Sequence, residues 1–203
     1  MHPSRAFHWA DRDAMLAFVA ERSFAHIFAT TPEGPRVAHA PVAVTREGNL
    51  RFHLSRSNAL GRHLDGLTAL VSIAGPEAYV SPDWYGTDDQ VPTWNYLAVE
   101  IEGPVRRLGE TDLVALLDDL SAAHEARLLP KKPWTRAKMT SARFEGLLKA
   151  IDAYELTVEH IRGTAKLGQN KSAAETAGVA AGLEAAGRTD VASLVRIYAE
   201  AKA

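Results

Sequence analysis

The chain has 203 residues, no cysteine and a formal net charge of −2, with 46% hydrophobic and 24% charged residues. This length supports one sizeable core, or a core domain with a small appendage. The absence of cysteine excludes disulfides, thiolate nucleophiles and cysteine-based zinc sites, and the balanced charge argues against autonomous nucleic-acid binding. No stretch has the length of a signal peptide core or a membrane span, so we expect a cytoplasmic protein without a membrane segment.

Local patterns in the first half of the chain predict one helix followed by a series of strands. Asp11 is a suitable N-cap, and Met15, Phe18 and Val19 recur at helical spacing after it. The later segments alternate in polarity or are continuously apolar, and Pro- and Gly-containing turns separate them. We predict a helix at 11–22, strands at 24–30, 36–44, 50–55, 68–75 and 93–108, and a short helix at 57–64.

The second half of the chain is predicted to be mainly helical. Thr111 is a candidate cap for an amphipathic helix, and a second apolar stripe runs from Phe144 to Ile151. The segment 154–163 returns to a strand pattern, and residues 154–162 are the candidate for the strand that closes a barrel. Early strands, one late strand and peripheral helices together predict a β-rich α+β fold, an antiparallel barrel with helical additions at about 110–151 and 172–202.

Aromatic residues are concentrated in the irregular window YVSPDWYGTDDQVPTWNY at 79–96. Aromatic side chains with polar tips suit a surface that is half apolar and half wet, such as the site of a flat ligand. The alternative is that some of them only bury apolar area at an interface. The window contains Tyr79, Trp84, Tyr85, Trp94 and Tyr96.

The segment HLSRSNALGRHL at 53–64 is a candidate phosphate-binding site. Free N–H groups at a helix start, together with the guanidinium groups of Arg56 and Arg62, would form a cradle for a phosphate. In the alternative interpretation Ser57 and Asn58 only cap the helix and the arginines are solvated.

Two further groups of polar residues are candidates for ligand binding. KLGQN at 166–170 directly follows the predicted closing strand and offers side-chain donors to a polar ligand, although a plain surface turn explains it equally well. His39 and His53 lie on adjacent predicted strands, but two imidazoles without a carboxylate make a weak metal site. We therefore predict no metal site.

The window at 75–96, GPEAYVSPDWYGTDDQVPTWNY, resembles the signature of the PaiB-like family, which combines a Ser-Pro-x-Trp-Tyr run with Val-Pro-Thr-Trp-Asn-Tyr. The resemblance covers nearly the whole chain. AHAPVAV, HLSRSN, the His124-Glu125 pair, Trp134 and KLGQN also match family motifs.

This resemblance implies a single FMN-binding split-barrel domain over 1–203, of the pyridoxamine-phosphate-oxidase and flavin-reductase type. It also implies a homodimer with flavin at the subunit interface, and members are often named as negative transcriptional regulators. The turn after the third strand would hold the FMN phosphate, and the other matching residues would surround the flavin ring. The implied site residues are His39, Ser55, Arg56, Ser57, Asn58, Arg62, Trp94, Asn95, Lys166, Gln169 and Asn170.

The chain departs from the family pattern at two places. The family turn continues Asn-Pro-x-Trp-Arg, whereas this chain has Asn58-Ala59-Leu60-Gly61-Arg62 and lacks the proline and the tryptophan. A family lysine after Trp-Tyr is replaced within 86–89 by Gly-Thr-Asp-Asp. Both changes weaken the expected grip on FMN.

Two alternative functions are compatible with these sequence patterns. A flavin-dependent oxidoreductase needs no acid/base pair visible in the sequence, because the flavin supplies the hydride chemistry. A haem-binding protein would use histidine ligands, for which His39, His53 and His160 are the candidates. The patterns are compatible with an enzyme and with a regulator.

Overall fold

The computed structural model describes residues 2–200. Strands predominate in the first half of the chain and helices in the second, with a short 3-10 helix at Pro82–Tyr85 inside the aromatic window. The elements are β1 (His8–Trp9), α1 (Arg12–Arg22), β2 (Phe24–Thr31), β3 (Gly34–Val44), β4 (Leu50–Ser55), β5 (Thr68–Val80), β6 (Thr93–Arg107), α2 (Glu110–Ala126), α3 (Ser141–Leu148), β7 (Ile151–Leu156), β8 (His160–Lys166), α4 (Ala173–Ala185) and α5 (Thr189–Glu200).

The described chain divides into two compact units. Residues 12–73 and 100–161 form one, here called the barrel unit, and residues 2–11, 74–99 and 162–200 form the second unit. Strands β5 and β6 each contribute residues to both units. The prediction of a single domain stays a prediction.

The strands form one antiparallel sheet in the order β1-β8-β6-β5-β2-β3-β4-β7, with a further pairing of β6 with β7. Because β7 pairs with β4 on one side and with β6 on the other, the six strands from β6 to β7 close into a ring. The predicted antiparallel barrel is therefore confirmed.

Large apolar side chains fill the inside of the ring in the barrel unit. The burial of β2 and β4 alternates strictly, as the two-residue period of a strand requires. The rings of Phe52 and Tyr154 stack with centroids 5.7 Å apart. The largest fully buried side chains of this unit include Ile27, Leu50, Leu60, Leu64, Ile101, Leu116 and Leu156.

Three predictions about local structure were wrong. Residues 57–64 form consecutive turns instead of a helix, and Leu60 and Leu64 within them are fully buried. The predicted strand at 154–163 is two strands, and it is Ile151–Leu156 that closes the ring. Helix α2 begins at Glu110 after an N-cap at Gly109, so Thr111 is not its cap.

A close approach of two backbone segments explains the break between β7 and β8. Thr157 N–H donates to the Pro104 carbonyl and Glu159 N–H to the Glu102 carbonyl, both at 3.0 Å. Gly103 lies between these partners, and a Cβ atom there would collide with the Thr157 carbonyl. Glycine at 103 therefore lets the chain bend while it stays bonded to β6.

In the second unit β1 pairs with β8, and α4 and α5 follow β8. Helix α4 starts with a complete capping box in which Ser172 and Glu175 exchange hydrogen bonds. Among the helices of residues 2–200, none combines the length and apolar character that crossing a membrane requires.

Candidate functional site

The turn that follows β4 places two serine hydroxyls and an arginine side by side in the barrel unit. The Oγ atoms of Ser55 and Ser57 lie 2.8 Å apart, and both side chains are exposed. Arg56 N–H donates to the Ala150 carbonyl at 2.9 Å, which ties the turn to the start of β7. The segment predicted to bind a phosphate is thus a turn fixed by backbone bonding that presents two hydroxyls, and it has no helix N-terminus.

Arg56 is not a solvated side chain without partners. Its Nε donates to Asp152 Oδ1 at 3.0 Å, and Arg107 Nη2 donates to the same oxygen. The Arg56 side chain is 52% exposed, whereas that of Asp152 is only 13% exposed. Since only Nε is used in this contact, the outer nitrogens of Arg56 can still bind an anion.

Asn58 and Arg62, the other predicted residues of this segment, behave differently. Asn58 Oδ1 accepts hydrogen bonds from the backbone N–H groups of Leu60 (2.9 Å) and Gly61 (3.3 Å), as asparagine does in turns. It therefore shapes the turn. Arg62 is exposed.

A tyrosine from β7 packs against Gly61. Gly61 stands where the family has tryptophan, and the buried Tyr154 hydroxyl donates to the Gly61 carbonyl at 2.9 Å. A Cβ atom on Gly61 would already lie 3.4 Å from that hydroxyl, so no space for an indole remains. Burial raises the pKa of Tyr154, with a further contribution from Asp152.

The three candidate histidine ligands, all in the barrel unit, have different surroundings. His39 is exposed on the outer surface of β3, where it pairs with His26 across the strands with ring centroids 4.8 Å apart. Burial lowers the pKa of His53, whose Nδ1 has no hydrogen-bond partner among residues 2–200. His160 is exposed at the start of β8. Within residues 2–200 no group of three metal-ligating side chains occurs.

Exposed apolar residues flank the His26–His39 pair on the outer surface of β2 and β3. Phe24 and Phe28 on β2 and Val37 on β3 are exposed, and the register places Phe28 directly opposite Val37. An open pocket of about 470 Å³ lies beside them and is lined by Phe28, Pro35, Val37 and Leu70, among others. This volume lies within the range of small-molecule sites, about 300–1,000 Å³.

In the second unit the aromatic window divides into an exposed pair and a packed pair. Trp94 is 52% exposed and meets Tyr79 edge to face, with centroids 6.3 Å apart. Asn95 is buried, because neighbouring residues of β6 face opposite sides of the sheet. One flat ligand on the Trp94 side would therefore not contact the Asn95 side chain.

Trp84 and Tyr85 pack inside the second unit against α4. The Trp84 carbonyl lies against Gly178 and its indole against Gly182, so closely that a Cβ atom on either glycine would collide. The buried Tyr85 ring lies 4.5 Å from Lys171 Nζ, and burial raises the pKa of its hydroxyl. Sequence reasoning missed this role, although the Gly-x-x-x-Gly spacing on a helix was a visible signal.

The KLGQN segment is largely committed to its own turn. Gln169 Oε1 accepts from Leu167 N–H at 2.9 Å, and its Nε2 donates to the Ala165 carbonyl at 2.5 Å. Lys166 Nζ donates to Thr93 Oγ1, and burial lowers the pKa of Lys166. Asn170 is exposed. These contacts favour a structural turn, with Asn170 and Lys166 the members most available to a ligand.

The family model described as "Putative FMN-binding domain" matches residues 1–160. The chain belongs to this family of FMN-binding domains. The resemblance to the PaiB-like family and the predicted cofactor, FMN, are thereby confirmed. The turn at 55–58 and the six strands of the ring lie inside the matched segment, whereas KLGQN, α4 and α5 lie beyond it.

Two relatives extend the similarity to most of the chain. "Protease synthase and sporulation protein PAI 2" of Bacillus subtilis is 28% identical over 176 residues, which cover 85% of this chain and 84% of the relative. An uncharacterised protein of Emericella nidulans is 28% identical over 195 residues, covering 87% and 73% of the two chains.

Solved structures share the fold at low sequence identity. The FAD and haem binding protein from Mycobacterium smegmatis matches with a TM-score of 0.60 and 16% identity, over 79% of this chain and 74% of that one. The flavocytochrome Anf3 from Azotobacter vinelandii matches with a TM-score of 0.57 and 14% identity, over 82% and 73%. The likeness confirms the split barrel.

The residues of the phosphate turn fit the phosphate group of FMN. An exposed hydroxyl pair beside an accessible guanidinium matches the donors that phosphate oxygens accept from, and the turn is held by backbone bonds. The Asp152 carboxylate opposes an anion, but two arginines neutralise it. The residues therefore fit FMN at its phosphate end.

Proposed function

We propose that this flavin-binding split-barrel protein holds FMN by its phosphate at residues 55–58 and works as a homodimer. The observation that carries the proposal is the exposed hydroxyl pair of Ser55 and Ser57 beside Arg56 in a turn fixed to β7. When bound, FMN supplies hydride or electron transfer. The chain itself binds and orients the cofactor.

The apolar outer surface of the barrel supports the homodimer. Phe24, Phe28 and Val37 stand together on β2 and β3 and are exposed in one copy of the chain. They flank the His26–His39 pair on this face, and clusters of exposed apolar side chains mark interfaces. A second copy of the same surface would cover them, as the two-fold symmetry of most homodimers allows.

Dimerisation is tested by Phe28→Glu, with Ile197→Glu on α5 as the matched control, because both positions are exposed apolar residues in a single copy. Sedimentation at micromolar concentration should show a dimer for the wild type and for Ile197→Glu. Phe28→Glu should sediment as a folded monomer. A wild-type chain that sediments at 22.0 kDa would rule out the homodimer.

A regulatory role is the cellular function we favour. The Bacillus subtilis relative carries a name that refers to protease synthesis and sporulation. With a net charge of −2, the chain is expected to act on gene expression only through a partner. Purified protein should therefore give no sequence-selective mobility shift with duplex DNA at physiological salt.

A flavin-dependent oxidoreductase is the second candidate. The open pocket of about 470 Å³ beside Phe28 and Val37 has the volume of a small-molecule site and supports a small substrate. Reduction of the bound flavin by a nicotinamide donor, followed by reoxidation by a small acceptor with turnover, would favour this function over a regulatory one.

The proposed phosphate contact is tested by titrating FMN and riboflavin into apo-protein. These two flavins differ only in the phosphate, so Arg56→Gln should weaken FMN binding and leave riboflavin binding nearly unchanged. A charge-assisted contact contributes about 1.5–3 kcal/mol, which corresponds to roughly tenfold to hundredfold in affinity. Arg196→Gln is the matched control, because Arg196 is also an exposed arginine paired with one carboxylate.

Two outcomes of this titration would contradict the proposal. If both affinities fall together in Arg56→Gln, the substitution acts on the fold or the ring and not on the phosphate. If neither falls, Arg56 does not bind the phosphate, and the cradle lies at Arg62 or Lys166.

A further inference from the structure

Two arginines share one carboxylate at the edge of the barrel unit where β4, β7 and β6 come together. Arg56 at the end of β4 and Arg107 at the end of β6 both donate to Asp152 Oδ1. Both contacting nitrogens are within hydrogen-bonding distance of one oxygen, so they lie within about 6 Å of each other. Arg107 was not among the residues predicted from the sequence, because it is far from the turn in the chain.

Both guanidinium groups are accessible while the carboxylate between them is not. The side chains of Arg56 and Arg107 are 52% and 49% exposed, and that of Asp152 is 13% exposed. Each arginine uses one nitrogen for Asp152, and among residues 2–200 neither guanidinium group forms another hydrogen bond or ion pair. Asp65 accepts the backbone N–H of Arg107 at 2.7 Å, which fixes the end of β6.

The chemistry of this arrangement matches a phosphate monoester. Such a group carries a charge of about −1.5 to −2 at neutral pH and three strong acceptor oxygens. Two guanidinium groups held side by side can donate to different oxygens of one phosphate. The hydroxyls of Ser55 and Ser57 adjoin Arg56 in the turn and can complete the set of donors.

We propose that Arg107 is a second phosphate-binding residue for FMN and that Asp152 is a positioning residue that holds Arg56 and Arg107 side by side. This inference rests on the proposed function, which places the phosphate at residues 55–58. It adds to the site a cation from a distant strand, Arg107 at the end of β6.

The chain provides a matched control in the neighbouring residue. Arg106 is also exposed and also donates to a carboxylate, Glu155, at 2.6 Å, with Arg51 as the second donor. Because neighbouring residues of a strand face opposite sides, Arg106 lies on the other face of β6 from Arg107. Removal of the Arg106 charge alters the same strand and the same kind of ion pair without reaching the phosphate site.

The test is the titration of FMN and riboflavin into apo-protein of Arg107→Gln and Arg106→Gln. Arg107→Gln should lower FMN affinity about tenfold to hundredfold and change riboflavin affinity less than about twofold. Arg106→Gln should leave both affinities within about twofold. Inorganic phosphate should compete with FMN in the wild type and compete more weakly in Arg107→Gln.

Asp152→Asn separates positioning from charge. If Asp152 acted only through its negative charge, its removal would tighten FMN binding. As a positioning residue, its removal should weaken FMN binding and leave riboflavin unchanged. Arg107→Lys keeps the charge and guards against misfolding of Arg107→Gln, and it should recover part of the lost FMN affinity.

The outcomes distinguish this inference from the proposed function. If Arg56→Gln weakens FMN binding and Arg107→Gln does not, the second phosphate residue is refuted and the proposed function stands. If the wild type binds FMN no better than riboflavin, the proposed phosphate site itself fails. An Asp152→Asn variant that binds FMN more tightly overturns the positioning role.

Discussion

The contact between Trp84 and α4 predicts that a glycine-to-alanine substitution changes the free energy of unfolding in opposite directions at two helical glycines. Gly182 in α4 lies against the Trp84 indole, and an added Cβ would collide with three of its ring atoms. Gly146 in α3 has nothing within 4 Å of the position that a Cβ would take. Both glycines are replaced by alanine.

The two expected free energies follow from competing effects. Alanine in place of glycine inside a helix normally stabilises by about 0.5–1 kcal/mol. Forcing an extra carbon into a packed contact costs about 1–3 kcal/mol. We expect Gly146→Ala to raise the free energy of unfolding by about 0.5–1 kcal/mol and Gly182→Ala to lower it by about 1–2 kcal/mol.

Urea denaturation at one fixed protein concentration measures both values. In a Trp84→Ala background the obstructing ring is absent, so Gly182→Ala should no longer destabilise, and a double-mutant cycle gives the coupling. If Gly182→Ala stabilises the wild type as much as Gly146→Ala does, Trp84 does not pack on α4, and the assignment of the aromatic window is wrong.

Three further predictions concern the ion pairs, the flavin and the barrel. Burial pushes the pKa of the Glu155 carboxyl up, but hydrogen bonds from Arg51 and Arg106 outweigh burial and hold that pKa below its ordinary value. The stability that Glu155 adds over Glu155→Gln, about 1 kcal/mol at neutral pH, should therefore be lost in acid-unfolding titrations as the pH falls through the lowered pKa of Glu155. Trp94→Ala should reduce flavin retention on gel filtration more than Trp134→Ala, and equal losses would place the ring elsewhere. Gly103→Ala should lower the unfolding midpoint because of the collision with Thr157, with a cost of about 2 kcal/mol, and an unchanged midpoint would refute the close approach.

Much of the barrel was predictable because its signals are local. The alternation in 24–30 and 50–55 and the apolar run from 68 each reflect one strand, and all three are observed. The strand at 154–163 was wrong because its break depends on Gly103, which lies on another strand. The helix at 57–64 was wrong because Leu60 and Leu64 are buried in the barrel unit, which a local pattern does not reveal.

The candidate site was predictable only where a motif carries it. Residues 55–58 are contiguous, so a resemblance could single them out. Arg107 and Asp152 come together through the pairing of β4 and β6 with β7, and no single stretch of sequence contains them. A motif match can also mislead. Gln169 matches a family motif, but its amide forms hydrogen bonds within its own turn.

FMN binding by this chain is visible in the absorption spectrum of freshly purified protein. We predict the two visible bands of an oxidised flavin, retained through gel filtration or restored by added FMN, and released as FMN on denaturation. A Soret band in their place would establish haem binding and favour the histidine ligands. A spectrum without either chromophore, in protein that also fails to take up added FMN, would contradict the account.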